Sequence, residues 1–190
     1  MLNKLKITVL SGVLALFMVG CAGANANKGA VASKVKAISG NENIYISATV
    51  PYKEVKNINI KIRQECAINT QMVTYLVKYG AKNGINFIVS NNPKKSDKVL
   101  KLTIDDAVSA GNAFRGHKKF VSISGEIKQN GKVISSFRAA RKSGGGFMGR
   151  YKSSCAVLGG AVKRLARDTA EWAVTKQNKA TLGDSHLLKY

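Results

Sequence analysis

Three cysteines, at positions 21, 66 and 155, are the residues whose chemistry the sequence specifies most narrowly. Cys21 closes an apolar N-terminal stretch, which leaves Cys66 and Cys155 as an even pair in the rest of the chain. In an oxidising compartment such a pair predicts a disulfide bond, and two buried free thiols are the alternative. We expect no metal site, because only His117 and His186 are available as further ligands and no metal-ligand spacing is present.

His117 is the residue best suited to act as a general base, and Asp105 and Asp106 precede it by about a dozen residues. The two carboxylates are adjacent at the predicted end of a strand, so their side chains point in opposite directions. No serine or free cysteine has a base partner in this pattern. We therefore expect a non-catalytic protein without a cofactor, and a hydrolase that uses His117 or Asp105 is the alternative.

A glycine-rich segment, residues 142–152, precedes the last predicted helix. Gly144 and Gly149 have the glycine spacing of a P-loop, whose backbone amides bind phosphate. However, Arg150 and Tyr151 replace the lysine and the hydroxyl residue of that motif, so the magnesium ligand is missing and nucleotide hydrolysis is excluded. The segment is then either a flexible connection or a loop whose aromatic and basic side chains meet a lipid or protein surface.

Residues 1–20 have the composition of a signal peptide. Lys4 and Lys6 form a short basic region, and residues 7–19 are apolar and uncharged. This apolar run is shorter than the about 20 residues that a membrane-spanning helix needs, but it suits a cleaved signal peptide. We therefore expect residues 1–20 to be absent from the mature protein.

The sequence MVGC at positions 18–21 resembles the lipobox of bacterial lipoproteins, with Met18 where leucine is usual. The resemblance implies cleavage before Cys21, a diacylglycerol thioether on its sulfur and an acylated amino group, with acyl chains such as palmitate. Several acyl chains together make a stable membrane anchor. Ala22, in place of aspartate, resembles the signal for transfer to the outer membrane, with the domain facing the periplasm. The alternative is a soluble secreted protein that is cut within residues 22–26.

The composition after Cys21 divides the mature chain into three parts. Residues 21–41 are rich in small and polar residues, which predicts a flexible tether. Residues 42–176 are long enough for one hydrophobic core and predict a single domain. Residues 177–190 are predicted to form a polar tail.

Alternation of apolar and polar residues predicts strands near residues 44–50, 85–90, 100–104, 121–127 and 132–141, with a short extended segment at 58–62. Residues 109–119 are predicted to form a long loop. Asn130-Gly131 predicts a type I′ hairpin. In the strand after it, Phe137 and either Val133 or Ile134 are expected to supply the apolar side chains.

Two segments have apolar residues at helical spacing. One runs from about Glu65 to Asn83, with the stripe Ile68, Met72, Leu76 and Tyr79. The other is expected to begin at the capping residue Ser154 and has the stripe Leu158, Val162, Leu165, Thr169 and Trp172. The fold class is therefore α+β, a single domain in which a mainly antiparallel sheet of about four or five strands has two helices on one face. This order resembles the small α/β modules of bacterial envelope lipoproteins.

Positive charge is the strongest property of the chain, whose full sequence has 31 Lys and Arg residues against 10 Asp and Glu residues. Removal of residues 1–20 deletes two lysines and no acid, so the formal charge falls from +21 to +19. Residues 107–167 contain 13 basic residues and the acid Glu126 alone. Such a field attracts polyanions. The candidate anion-binding residues are Arg115, Lys118, Lys119, Arg138, Arg141, Lys142, Arg150 and Lys152.

The export signal argues against nucleic acid as the polyanion, although charge alone would favour it. The expected partners are the membrane, through the lipid on Cys21, and an anionic glycan, a lipid headgroup or an acidic envelope protein. We therefore predict a lipid-anchored, non-catalytic envelope protein with an anion-binding surface. The alternative is a structural subunit of an outer-membrane assembly or secretion complex in which the charge is incidental.

Overall fold

The computed structural model describes residues 42–53, 58–112, 116–143 and 153–188. All of them belong to one compact unit, residues 35–190. The signal peptide, the lipobox and the tether lie outside the described residues and stay predictions.

The described residues form six strands and three helices, and their order along the chain is β1 (Glu42–Ile46), α1 (Ile60–Glu65), α2 (Ile68–Lys82), β2 (Ile85–Val89), β3 (Val99–Asn112), β4 (Gly116–Gln129), β5 (Lys132–Lys142), α3 (Ser154–Thr175) and β6 (Ala180–Gly183). A short 3₁₀ turn, Ser185–Leu187, follows β6. The sheet order is β2-β1-β3-β4-β5-β6. The single α+β domain that the sequence predicts is present, with six strands where about four or five were expected and three helices where two were expected.

The centre of the sheet is antiparallel, because β3, β4 and β5 form a meander. Both flanks are parallel: β1 pairs in parallel with β2 and β3, and β6 pairs in parallel with β5. Parallel neighbours need a crossover connection, which α1 and α2 supply on one flank and α3 on the other. Helix α3 packs against α2 and across β4 and β5, so the opposite face of the sheet has no helix among the described residues.

The apolar stripes of α2 and α3 form the core together with the strands. All five predicted stripe residues of α3 are buried, and in α2 Ile68, Met72 and Leu76 are buried. The ring of Phe137 in β5 packs on Trp172 of α3 with ring centroids 4.5 Å apart. A Cβ at Gly125 would lie 2.3 Å from the Phe137 ring, so this contact requires glycine in β4.

The β4–β5 hairpin has the predicted turn but not the predicted apolar side chains. Asn130 and Gly131 have φ values of 52° and 79°, as a type I′ turn requires. Ile127 pairs with Ser135 and Lys128 pairs with Val133, so Ile134 is an extra residue in a β-bulge. Because one inserted residue reverses the alternation, Ser135 is buried, whereas Val133 and Ile134 are 49% and 42% exposed. The expectation that either residue enters the core was therefore wrong.

The short extended segment predicted at residues 58–62 is helical. Ile58 and Ile62 are 4% and 7% exposed, whereas Ile60 between them is 60% exposed. The buried residues are therefore four positions apart, as in a helix, and not two positions apart, as in a strand. Asn59 starts α1, since its side chain accepts a hydrogen bond of 2.9 Å from the Lys61 amide. In α3 the N-cap is Ser153 rather than Ser154, and the Ser153 hydroxyl accepts from the Ala156 amide.

Residues 177–188 do not form the predicted loose tail, because they pack on the domain and include a strand of the sheet. Helix α3 ends at Lys176, whose left-handed backbone reverses the chain, and the Trp172 indole donates to the Gln177 carbonyl at 2.8 Å. The chain then adds β6 beside β5, and Leu188 after the 3₁₀ turn is buried. Most of the predicted loop at 109–119 is also strand, since β3 extends to Asn112 and β4 starts at Gly116.

The predicted disulfide between Cys66 and Cys155 is present, with the two Cα atoms 5.0 Å apart. Cys66 is the C-cap of α1, and Cys155 lies in the first turn of α3. The bond therefore fixes the start of the longest helix to the segment that leads into α2.

Replacing both Cys66 and Cys155 with serine should lower the free energy of unfolding by roughly 4 to 5 kcal/mol, because the bond closes a loop with a sequence separation of 89. Urea denaturation of the variant and the wild type measures the difference. Intact mass before and after reduction is the direct assay for the bond, and two alkylatable thiols in the native wild type would contradict it.

Glu42 ties the start of β1 to two other parts of the fold. Its carboxylate oxygens lie 2.6 Å from Lys98 Nζ and 2.5 Å from Lys176 Nζ, at the ends of the segments that lead into β3 and out of α3. Burial alone would raise the Glu42 pKa, but the hydrogen bonds from Lys176 and Lys98 outweigh burial and hold the pKa below its ordinary value of 4.5.

This lowered pKa predicts acid sensitivity. Glu42 stabilises the fold above about pH 4.5, and the contribution is lost as the pH falls through its folded-state pKa, because the unfolded chain then binds the proton more readily. The variant Glu42→Gln should have a lower melting temperature at neutral pH and a smaller further loss between about pH 5 and about pH 3. The exposed variant Glu171→Gln is the control. Parallel pH profiles for Glu42→Gln and the wild type would contradict this account.

Candidate functional site: a polar trough on the helix-free face

The predicted anion-binding residues do not share one face of the sheet. Along β5, the side chains of Phe137 and Arg141 point toward the helices, so Arg138 and Lys142 lie on the opposite, helix-free face. Lys119 in β4 alternates with the buried Val121 and Ile123 and therefore lies on the helix side. Arg115, Arg150, Lys152 and the side chain of Lys118 fall outside the described residues.

Arg141 is held inside the fold by two carboxylates. Its Nε lies 2.6 Å from Asp168 Oδ2, its Nη2 lies 3.0 Å from Asp168 Oδ1, and its Nη1 lies 3.6 Å from Asp184 Oδ1. The hydrogen bond to Asp168 is the main reason why the Arg141 pKa is raised above its ordinary value. Arg141 therefore fastens β5 to α3 and to the segment after β6, and this ion pairing occupies its guanidinium.

Asp184 fastens the same segment through the backbone. Its Oδ2 accepts a hydrogen bond of 2.7 Å from the Lys142 amide, and its own amide donates to the Ala140 carbonyl at 2.7 Å. These contacts explain why residues 180–188 do not behave as a tail. The sequence does not predict these contacts, because Asp168 and Asp184 are far from Arg141 along the chain.

The helix-free face carries an open trough of about 500 Å³ across β3, β4, β5 and β6. Its wall consists of hydroxyl-bearing and charged side chains, which alternate with core residues along each strand: Lys101, Thr103, Ser124, Glu126, Ser136, Arg138, Lys179 and Thr181. Gly125 and Phe137 also line it, beneath the polar side chains. Arg138 is the predicted anion-binding residue that lines this trough.

Hydrogen bonds and one ion pair orient the polar wall. The Ser124 hydroxyl donates to Asp105 Oδ1 at 3.0 Å, and the Ser136 hydroxyl bonds to Asn178 Oδ1 at 3.0 Å. The carboxylate of Glu126 is neutralised by Lys128 at 2.7 Å. The trough therefore combines three basic side chains with positioned hydroxyls and one paired acid, an arrangement that suits an anionic, hydroxyl-rich ligand.

Sequence reasoning missed Lys101 and Lys179 as site residues. The signal for Lys101 was its place on the polar side of β3, between Leu100 and Leu102, which both face the core. No comparable signal marked Lys179, because the strand that follows it was predicted to be a tail.

The described residues bring no catalytic group together. Asp105 lies at a β-bulge within β3, not at a strand end, and the bulge is the register shift between Ile104 and Asp106. The side chain of His117 lies outside the described residues. Within the described ranges, no three His, Cys, Asp or Glu side chains are grouped as metal ligands. No helix in those ranges has the length and apolar character needed to cross a membrane.

Replacing Asp168 with asparagine should destabilise the fold by about 2 to 4 kcal/mol, because a buried ion pair loses one partner while the Arg141 charge remains. The control Arg167→Gln removes an exposed pair with Glu171 at 3.8 Å and should cost at most about 0.5 kcal/mol. Urea denaturation distinguishes the two variants. Equal losses for both would mean that the Arg141 contacts are not structural.

No protein-family model matches the chain, and no curated protein matches its sequence. Solved structures resemble the fold. A protein of Xanthomonas campestris assigned to the family model DUF330 has a TM-score of 0.50 at 10% identity, over 71% of this chain and 85% of that one. A minor lipoprotein from Acinetobacter baumannii has a TM-score of 0.42 at 13% identity, over 70% of this chain and 93% of that one.

A lipoprotein from Neisseria meningitidis also has a TM-score of 0.42 at 13% identity, over 68% of this chain and 99% of that one. At such identities a likeness concerns the fold alone. The chain thus shares a mixed α+β fold with the Xanthomonas campestris protein.

Proposed function

We propose that this chain is a lipid-anchored, non-catalytic protein of the bacterial envelope, held in the outer membrane through Cys21, which binds an anionic glycan in the trough on its helix-free face. Three features support the export and anchoring: the N-terminal signal, the lipobox resemblance and the disulfide between Cys66 and Cys155, a bond that persists in oxidising compartments.

The observation that supports the binding proposal is that the carboxylates are paired within the domain. Five carboxylates of the described part form ion pairs within the domain, namely those of Glu42, Glu126, Asp168, Glu171 and Asp184. The chain has about three times as many basic as acidic residues, and most lysines and arginines of the described part are exposed. The domain therefore presents a positive field on its surface, which attracts polyanions.

The trough is the part of this positive surface that is shaped to bind a ligand. Lys101, Arg138 and Lys179 supply cations for phosphate or carboxylate groups, and the hydroxyls of Thr103 and Thr181 supply hydrogen bonds for sugar hydroxyls. An open trough of this kind accommodates a chain that passes through it, whereas an enclosed pocket would take a small molecule. The ligand class is therefore a phosphorylated or acidic glycan of the envelope.

Lipopolysaccharide immobilised on a column tests this proposal. The variant in which Lys101, Arg138 and Lys179 are all replaced with glutamine should bind about tenfold more weakly than the wild type, since three exposed charge contacts at about 0.5 kcal/mol each amount to about the 1.4 kcal/mol that equals a factor of ten. Wild-type retention should also fall steeply as the salt concentration rises.

A second variant provides the matched control. Replacing Lys61, Lys78 and Lys163 with glutamine removes the same charge from exposed positions outside the trough and should change retention much less. Equal losses for the two variants would mean that net charge acts without a site. Retention that responds to neither salt nor substitution would contradict the proposal and favour a structural subunit that packs through apolar surface.

A further inference from the structure

The end of the domain at which the described chain enters β1 is also the end at which β4 turns into β5. Glu42 contacts Lys98 and Lys176, and the Asn130 amide in the β4–β5 turn donates to the Lys95 carbonyl at 3.0 Å. These contacts bring together Glu42 and residues 94–98, 128–134 and 174–179, which we call the hairpin pole. It lies at the opposite end of β5 from Arg141 and Lys142.

The hairpin pole exposes apolar side chains. The described residues expose five large hydrophobic side chains, and three of them, Val133, Ile134 and Val174, belong to this pole. Val133 and Ile134 are adjacent and lie beside the turn, where the β-bulge turns them away from the core. Two neighbouring β-branched residues at the tip of a hairpin form a small apolar protrusion with no cover among the described residues.

Lysines surround this protrusion. Lys94, Lys95 and Lys132 are exposed, and within the described ranges no carboxylate forms an ion pair with any of these three. The nearby acids are engaged, since Glu42 binds two lysines, Glu126 binds Lys128, and Asp97 accepts from the Lys94 amide. The hairpin pole therefore combines exposed apolar residues with unbalanced positive charge, the composition of surfaces that meet anionic lipid.

The length of the chain between Cys21 and Glu42 indicates which surface lies near the hairpin pole. About 20 residues, predicted to be a flexible tether, separate Cys21 from Glu42, and a flexible chain of that length has an r.m.s. end-to-end distance of about 25 Å. A lipid on Cys21 thus keeps the leaflet within reach of the hairpin pole, and nearer to it than to the end of β5 that carries Lys142.

We infer that the hairpin pole docks on the phospholipid leaflet that holds the anchor, with Val133 and Ile134 in the headgroup region and the surrounding lysines on lipid phosphates. The inference rests on the proposed function, since the lipid on Cys21 supplies the leaflet. This orientation directs the other end of the sheet away from the membrane. It leaves the trough open at the side for a glycan.

Tryptophan fluorescence measures the docking. The acylated full chain, purified after processing and checked by mass for its acyl groups, is reconstituted in vesicles of phosphatidylethanolamine and phosphatidylglycerol with brominated acyl chains, which quench nearby indoles. The variant Val133→Trp should be quenched strongly. The matched variant Val89→Trp, at a site that is 48% exposed against 49% for Val133 but lies at the far end of β2, should be quenched several-fold less. Native Trp172 is 3% exposed and gives a constant background.

Charge variants test the lysines separately. Replacing Lys94, Lys95 and Lys132 with glutamine in the Val133→Trp protein should reduce quenching at least twofold, and so should vesicles of phosphatidylcholine alone. Replacing Lys61, Lys78 and Lys163 should have little effect. Hydrogen exchange of the wild type provides a readout without substitution, since the amides of residues 130–134 should exchange more slowly on anionic vesicles.

Equal quenching at positions 133 and 89, or no quenching and no protection of the hairpin, would overturn the inference. A purified protein that lacks acyl groups would instead contradict the proposed anchoring. Loss of binding to lipopolysaccharide bears only on the trough. The failure of the docking inference and the failure of the proposed function are therefore distinguishable.

Discussion

Helix α3 is attached to the rest of the domain by four contacts, distributed from its first turn to its C-cap. They are a disulfide, a buried ion pair, a pair of aromatic rings and an ion pair at the C-cap, formed respectively by Cys155 with Cys66, Asp168 with Arg141, Trp172 with Phe137, and Lys176 with Glu42. These partners lie in or beside α1, β5 and β1, which are far apart along the chain. Because α3 covers β4 and β5 from one side, the opposite face of the sheet has to be compatible with water.

That constraint produces the candidate site. Along the central strands, buried residues that face the helices alternate with the residues that form the polar wall of the trough. The same constraint decides the charge on the surface. Asp168 and Asp184 form ion pairs with Arg141, and Glu42 forms ion pairs with two lysines. Several of the few acidic residues of the chain are therefore neutralised within the fold. Most of the lysines and arginines that remain exposed in the described part lie along the trough, at the hairpin pole and on the helices.

The elements that the sequence predicted well are those in which the apolar residues follow a single periodicity, either that of a helix or that of a strand. The stripe of α3 and the apolar alternation of β4 report burial on a single face, and Asn130-Gly131 fixes a turn by backbone conformation alone. The predictions that failed are those in which two periods fit the same residues. Ile58, Ile60 and Ile62 fit a strand, but only Ile58 and Ile62 are buried, since Asn59 starts a helix. Val133 and Ile134 fit a core strand, but the bulge reverses their orientation.

The sequence by itself determined the α+β class, the pairing of Cys66 with Cys155, the excess of positive charge and the expectation of a lipid at Cys21. Each of these depends on composition or on neighbours within a few residues. The tertiary structure decided which cations face solvent together. Arg141 was expected to bind anions and is instead held by Asp168, whereas Lys101 and Lys179 join Arg138 around the trough. The physical reason is that pairing across strands and helices joins residues that are distant along the chain, and local periodicity contains no information about those distances.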